Sequence, residues 1–259
     1  MTEPVALHHV EEGPADAPPV LLGASLGTTH EMWDELATDL ARDFRVVRFD
    51  TRGHGASPAP ASSYTVEGLA LDVVALADTL GIDRFAYVGL SLGGAVGQVL
   101  GINHGERLTS LVLCCTAPVF GSPETWRERA AQVRSEGVEG LVEATLERWF
   151  TPAYRKAHPD RVDWVMDMFR ATPAAGYAGC CDALGEYDVS AQLAAIATPT
   201  LVVAGADDPG TPPSVGAAMV ESIPGSRLEV VDDAAHIANV AQPEVFSAAV
   251  RGHLGATVT

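Results

Sequence analysis

The stretch Phe85-Ala86-Tyr87-Val88-Gly89-Leu90-Ser91-Leu92-Gly93-Gly94-Ala95-Val96-Gly97-Gln98-Val99-Leu100-Gly101 decides how the rest of the chain is read. Phe85 to Leu90 is a short apolar run, the pattern of a strand buried on both faces. Leu92 to Gly101 continues as a helix. Between them lies Gly-x-Ser-x-Gly, a strand-turn-helix junction so tight that its serine must adopt a strained backbone angle. Glycines two positions to either side remove side chains that would collide across it. Such a serine projects at the carboxyl edge of the sheet, where open α/β sheets bind ligands. The first amides of the following helix point at any negative charge developing there. Ser91 is therefore the candidate nucleophile.

The same rhythm extends in both directions. Val20-Leu21-Leu22, ending at Gly23, and Phe44 to Phe49, ending at Asp50, read as buried strands. Thr65 to Leu80 has apolar residues at helical spacing and stops at Gly81. Leu108 to Cys114 is a further strand. After Pro118 the pattern breaks. From Ser122 to about Gly185 come helical segments without clear strands, carrying Trp126, Trp149 and Trp164. Strand and helix alternate again with Pro199 to Ala204, a helix near Ser214 to Ser222, Leu228 to Val231, and a last helix from Pro243 to Leu254. The expectation is an α/β fold with a mostly parallel central sheet flanked by helices, residues 1–120 and 188–259, interrupted by a helical cap, residues 121–187.

Composition narrows the partners. With 259 residues, 47% hydrophobic and 19% charged, the chain can bury a sizeable core. The net charge of −18 makes nucleic acid and anionic membranes poor partners. That charge is uneven. Residues 121–187 hold eight basic and eleven acidic side chains, the remainder eight basic and twenty-three acidic. An anionic substrate is thus better tolerated beside the insertion than elsewhere. Apolar runs are strand-length, far short of the roughly 20 residues of a membrane helix, and Met1 to Pro19 lacks the pattern of a signal peptide. A cytoplasmic protein is expected. Cys114-Cys115 and Cys180-Cys181 fit no metal-ligand spacing and read as small buried hydrophobes. No metal or cofactor is implied.

A serine hydroxyl needs a base. Of eight histidines, His54 sits in a turn after a strand, and His158 in the insertion. His236 lies in Asp232-Asp233-Ala234-Ala235-His236, just beyond the final strand. A Ser91 elbow of this kind resembles the α/β-hydrolase fold, in which the order along the chain is serine, acid, histidine. His236 follows in that order at a strand end. The acid belongs on the loop Gly205-Ala206-Asp207-Asp208-Pro209, where Asp207 and Asp208 both qualify by type. The glycine-plus-three position common in that fold selects Asp208. The oxyanion hole needs two backbone donors: Leu92 after the nucleophile, and Leu26 in the loop Gly23-Ala24-Ser25-Leu26-Gly27-Thr28. The Ser25 hydroxyl either caps this turn or meets substrate.

Several further segments resemble one family, the 3-oxoadipate enol-lactonases. They are Ser25-Leu26-Gly27-Thr28-Thr29 with His30-Glu31-Met32-Trp33-Asp34; Asp50-Thr51-Arg52-Gly53-His54-Gly55-Ala56-Ser57; Arg148-Trp149-Phe150-Thr151-Pro152; Gly176-Tyr177-Ala178-Gly179-Cys180-Cys181; and Ala234-Ala235-His236-Ile237-Ala238-Asn239-Val240. Ala24 departs from the polar residue, commonly Asn, expected there. The resemblance implies opening of a small anionic lactone, 3-oxoadipate enol-lactone, in aromatic catabolism. The substrate's remote carboxylate needs a partner. The insertion offers Arg127, Arg129, Arg134, Arg148 and Arg155 with the indoles of Trp126 and Trp149, and Arg148, Trp149 and Trp126 are favoured. Serine at the elbow is equally compatible with another carboxylic ester hydrolase, a carbon–carbon hydrolase or a perhydrolase. A non-catalytic receptor on the same scaffold is disfavoured by the complete Ser-Asp-His set.

Overall fold

The computed structural model describes residues 3–61 and 63–258. Seven strands build one sheet: β1 (His9–Glu12), β2 (Pro19–Gly23), β3 (Arg45–Phe49), β4 (Phe85–Leu90), β5 (Leu108–Cys114), β6 (Thr200–Gly205) and β7 (Arg227–Val231). Their order across the sheet is β1-β3-β2-β4-β5-β6-β7, and every pairing is parallel except β1 with β3. In β4 and β6 every residue is buried. Their unbroken apolar runs follow from being covered on both faces.

Helices α1 (Asp34–Leu40), α2 (Val66–Thr79) and α3 (Leu92–Asn103) lie in the first half of the chain. Between β5 and β6 come α4 (Pro123–Glu136), α5 (Val142–Trp149), α6 (Pro152–Ala157), α7 (Pro159–Ala171) and α8 (Ala174–Gly185). The chain enters and leaves this helical layer side by side: Val119 and Asp188 form an antiparallel bridge, and the Val189 amide donates to the Pro118 carbonyl at 3.0 Å. The remaining helices are α9 (Pro213–Ser222), α10 (Ala238–Ala241) and α11 (Pro243–Thr257).

Two elements escape the periodicity of the sequence. Strand β1, with the sequence His-Val-Glu-Glu, offers one aliphatic residue and no alternation. It is an edge strand fastened by charge: Arg45 pairs with Glu11 at 2.6 Å and Arg48 with Glu12 at 2.5 Å. His9 lies within the sheet. Helix α1 is only seven residues and follows a 3₁₀ turn over His30–Trp33 that buries Met32 and Trp33. Helix α2 shows a sequence-readable start, with the Thr65 hydroxyl accepting from the Gly68 amide at 3.0 Å.

A buried ion pair anchors the start of the chain. Arg52 and Asp72 are each 1% exposed and meet through two contacts of 2.6 and 2.7 Å. Arg52 also donates to the Glu3 carbonyl, and Asp72 accepts from the Val5 amide. Among the described residues no helix is long and apolar enough to cross a membrane.

Candidate active site

Strand β4 delivers Ser91 into its turn at φ 56° and ψ −110°. A positive φ at a residue with a Cβ costs on the order of 1–3 kcal/mol and must be held by its surroundings. The Ser91 amide donates to the Cys114 carbonyl at 2.9 Å, and its carbonyl accepts from the Ala95 amide and the Thr116 hydroxyl, both at 2.9 Å. The flanking glycines are steric requirements. A Cβ on Gly89 would stand 2.2 Å from the Gly93 carbonyl oxygen, and one on Gly93 would stand 2.1 Å from that of Gly23.

Asp208 is buried just beyond β6. One carboxylate oxygen accepts from His236 Nδ1 at 2.7 Å and from the Thr211 hydroxyl at 2.6 Å; the other accepts from the amides of Gly210 and Thr211 at 2.9 and 3.1 Å. Burial pushes this carboxyl up, but the His236 charge and the hydrogen bonds from His236, Thr211 and Gly210 outweigh it and hold it at about 2. An ionised carboxylate only accepts, so Nδ1 of His236 carries the hydrogen and Nε2 is left as the basic nitrogen. Asp207 is exposed. Of the two acids that the sequence leaves open, Asp208 is the one that meets His236.

Three amides hold the loop over Ala24–Thr28 in place. Ser25 donates to Met32 Sδ at 3.3 Å, Gly27 to His54 Nε2 at 3.0 Å and Thr28 to the Ser25 carbonyl at 3.1 Å. Among the described residues the amides of Leu26 and Leu92 have no such acceptor outside the helix. Thr28, through its hydroxyl on the Ser25 carbonyl at 2.8 Å, caps this turn. Ser25 itself lines the cavity.

His54 carries a role that sequence reasoning did not assign. It is fully buried, with Nε2 accepting from Gly27 and Nδ1 3.3 Å from the Arg52 carbonyl. The Gly27 amide can only donate, so the Nδ1–H points at Arg52 and the ring is neutral. Burial drives its pKa down to about 4 against the Arg52 carbonyl and the Asp50 charge. The Asp-Thr-Arg-Gly-His-Gly string was visible as a motif, but its partner 27 positions upstream was not.

Ser91 and His236 line one cavity of about 620 Å³ together with Leu26, Trp126, Arg148 and Trp149. The favoured insertion residues are thus all brought to it. So is Arg129, which the sequence placed among five arginines without preference. Arg134, which is exposed, instead pairs with half-buried Asp182. Neither Arg129 nor Arg148 has a carboxylate partner among the described residues, whereas burial and then the neighbouring Arg129 charge push Arg148 below its usual range. Arg129 lies over the Trp126 ring, 5.2 Å from its centre, and beside the Tyr177 hydroxyl. The Trp126 indole N–H is spent on the Phe120 carbonyl, so this residue offers the cavity a ring face and no free donor. The Trp149 indole nitrogen is buried without a partner among the described residues.

All four cysteines are buried and unpaired, and burial raises the Cys115 and Cys181 thiols to about 12. Among the described residues His8, His30 and Asp50 come close enough to share a cation. None lines this cavity, and Asp50 already accepts from the His30 amide, His30 Nδ1 and the Ala56 amide.

Comparison with known proteins identifies the family. Residues 18–158 and 166–243 match the family model described as alpha/beta hydrolase fold. The chain is 40% identical to the 3-oxoadipate enol-lactonase 2 of Acinetobacter baylyi, over 95% of this chain and 92% of that one. It superposes on the crystal structure of the enol-lactonase from Burkholderia xenovorans LB400 with a TM-score of 0.94, at 39% identity and 96% coverage of each chain. A thermophilic esterase from Thermogutta terrifontis, solved with malate bound, also superposes with a TM-score of 0.94, at 31% identity, over 98% of this chain and 94% of that one.

Proposed function

The chain belongs to the alpha/beta hydrolase fold family, and we propose that it is a serine hydrolase that opens 3-oxoadipate enol-lactone. The observation that carries this reading is the pair Arg129 and Arg148, cations without carboxylate partners among the described residues, in the cavity that Ser91 and His236 line. A charged pair of this kind suits a substrate with a carboxylate remote from its reacting carbonyl. Enol-lactonase relatives at about 40% identity over nearly the whole chain support the substrate, and the malate-bound esterase supports an anionic acyl group.

In this reading His236 Nε2 takes the Ser91 proton as Oγ attacks the lactone carbonyl. The developing oxyanion is met by the Leu26 and Leu92 amides and the N-terminus of α3. Asp208 keeps the imidazole in the productive tautomer and stabilises its charged form. Collapse breaks the ring carbon–oxygen bond. The proton on His236 goes to the departing enol oxygen, and the enol tautomerises to the ketone while the acyl chain remains on Ser91. Water, deprotonated by His236, then releases the dicarboxylate. Residues 121–187 act as a cap that supplies Arg129, Arg148, Trp126 and Trp149, and Ser25 lines the same cavity.

The test is hydrolysis of freshly generated 3-oxoadipate enol-lactone by the native chain and by Ser91→Ala. Loss of several orders of magnitude in kcat with an unchanged melting temperature is expected. A native chain inert towards this lactone yet active on simple esters through Ser91 overturns the substrate and keeps the mechanism.

A further inference from the structure

The cavity is too large for the lactone, and its surplus has a chemical character. The lactone has ten non-hydrogen atoms. At no more than the ~30 Å³ that a water molecule takes up in the liquid, these need about 300 Å³ at most. The cavity of about 620 Å³ is twice that. The cations lie on its cap wall, in α4 and α5. Leu193 and one face of α9, namely Val215, Ala218, Met219 and Ser222, also line the cavity. Met219 and Leu193 are buried, whereas Ala218 and Ser222 are exposed, and Val119, at 41% exposure, stands with them. The surplus is therefore an apolar corridor from the neighbourhood of Ser91 to solvent, with no charged side chain from α9 along it.

We infer that the enzyme has a second activity: hydrolysis of monoesters of short dicarboxylic acids whose alcohol is apolar and extends along the α9 wall. This rests on the reading above that Arg129 and Arg148 hold the free carboxylate. Ser91 Oγ attacks the ester carbonyl as His236 accepts its proton. The carbon–oxygen bond to the alcohol breaks, and that proton passes from His236 to the departing alkoxide, which leaves through the corridor as a free alcohol. Water then attacks the acyl-enzyme, giving one proton to His236, and restores Ser91 with release of the dicarboxylic acid. A ring-opened lactone keeps its leaving oxygen attached and never uses the corridor. A monoester uses both walls at once.

The experiment compares monomethyl, monobutyl and dibutyl adipate with the enol-lactone as substrates. Each methylene withdrawn from water contributes about fourfold in affinity, so three in a partly open corridor should raise kcat/KM at least about tenfold from the methyl to the butyl monoester. The dibutyl ester, with no carboxylate, should fall below the monobutyl ester by a similar factor. Ala218→Trp, at an exposed helix position, should remove the butyl preference while the lactone is still opened at the native rate, and Ser222→Trp at the same mouth should act alike. A butyl monoester no better than the methyl one, or a preference that survives both tryptophans, overturns the inference. Monoesters left intact while the lactone is opened also overturn it and leave the lactone reading standing. Monobutyl ester cleaved with that preference while the lactone is ignored upholds the inference and removes the lactone.

Discussion

His54 should make this fold acid-sensitive in a way that one substitution erases. A buried histidine held neutral stabilises the native state only while it stays neutral. Its contribution is complete above the unfolded-state pKa of 6.5 and drains away as the pH falls towards the native value of about 4. With those two values, lowering the pH from 7.5 to 5 removes about 2 kcal/mol of stability through this residue alone, and the loss approaches roughly 3 kcal/mol near pH 4. The mechanism is local: a proton on Nε2 sets one donor against another at the Gly27 amide and dislodges the loop that carries Leu26. His54→Gln replaces both contacts, with an amide oxygen for Gly27 and an amide nitrogen for the Arg52 carbonyl, and cannot titrate. Urea unfolding of both proteins at pH 7.5 and pH 5, followed by tryptophan fluorescence, should show the native chain losing about 2 kcal/mol more than the variant. Other titrating groups are common to both proteins and cancel. Equal losses would refute the assignment of His54 as a neutral acceptor.

Asp208→Asn should lower kcat about 10⁴-fold through the wrong imidazole tautomer, with the melting temperature little changed, as steady-state kinetics and calorimetry would show. Arg148→Gln should raise KM for the lactone at least about tenfold and alter kcat less, since a charge-assisted hydrogen bond contributes about 1.5–3 kcal/mol. Gly93→Ala should leave no activity, because its Cβ has only 2.1 Å to the Gly23 carbonyl; native kinetics in this variant would mean the elbow is looser than described. Asp72→Asn strands the Arg52 guanidinium in the core and should cost about 3–5 kcal/mol in urea unfolding.

What the sequence made legible was whatever had a local signature. Strands β2, β4, β5 and β6 announce themselves as apolar runs because the middle of the sheet is covered on both sides, whereas the short runs of β3 and β7 are interrupted by charged residues. Ser91 is fixed by a turn whose steric demands fall within five residues. Asp208 and His236 are loop residues at strand ends; spacing narrows the acid to Asp207 or Asp208, and the contact with His236 separates the two. Features built from distant pieces were not legible. Strand β1 depends on arginines 34 and 36 positions away, and Arg129 could not be told from its neighbours until the fold turned it towards Ser91 and Arg134 towards Asp182. Trp126 was a plausible donor by residue type, and only the position of the Phe120 carbonyl shows its N–H to be spent.

Besides supplying side chains to the cavity, the motifs outside the Ser91 turn fix the surroundings of the Ala24–Thr28 loop. Met32, from His-Glu-Met-Trp-Asp, receives the Ser25 amide on its sulfur, while its carbonyl accepts from the Asn239 side chain at 2.7 Å, three residues beyond His236. His54 receives Gly27. Gly53, beside His54, lies so close to Gly176 that a Cβ on Gly176 would stand 1.9 Å from the Gly53 carbonyl oxygen, and Cys180 Sγ faces the Arg52 carbonyl at 3.9 Å. The Gly-Tyr-Ala-Gly-Cys-Cys segment is thus the docking face of α8 on the turn that holds the oxyanion loop. Trp149, from Arg-Trp-Phe-Thr-Pro, accepts the Ile237 amide on its carbonyl at 3.3 Å and ties α5 to the loop bearing His236. The helical layer is therefore coupled through close contacts to the loop bearing His236 and to the turn that holds the Ala24–Thr28 loop. Replacing it with another helical layer would alter the placement of Leu26 and His236 as well as the cavity lining.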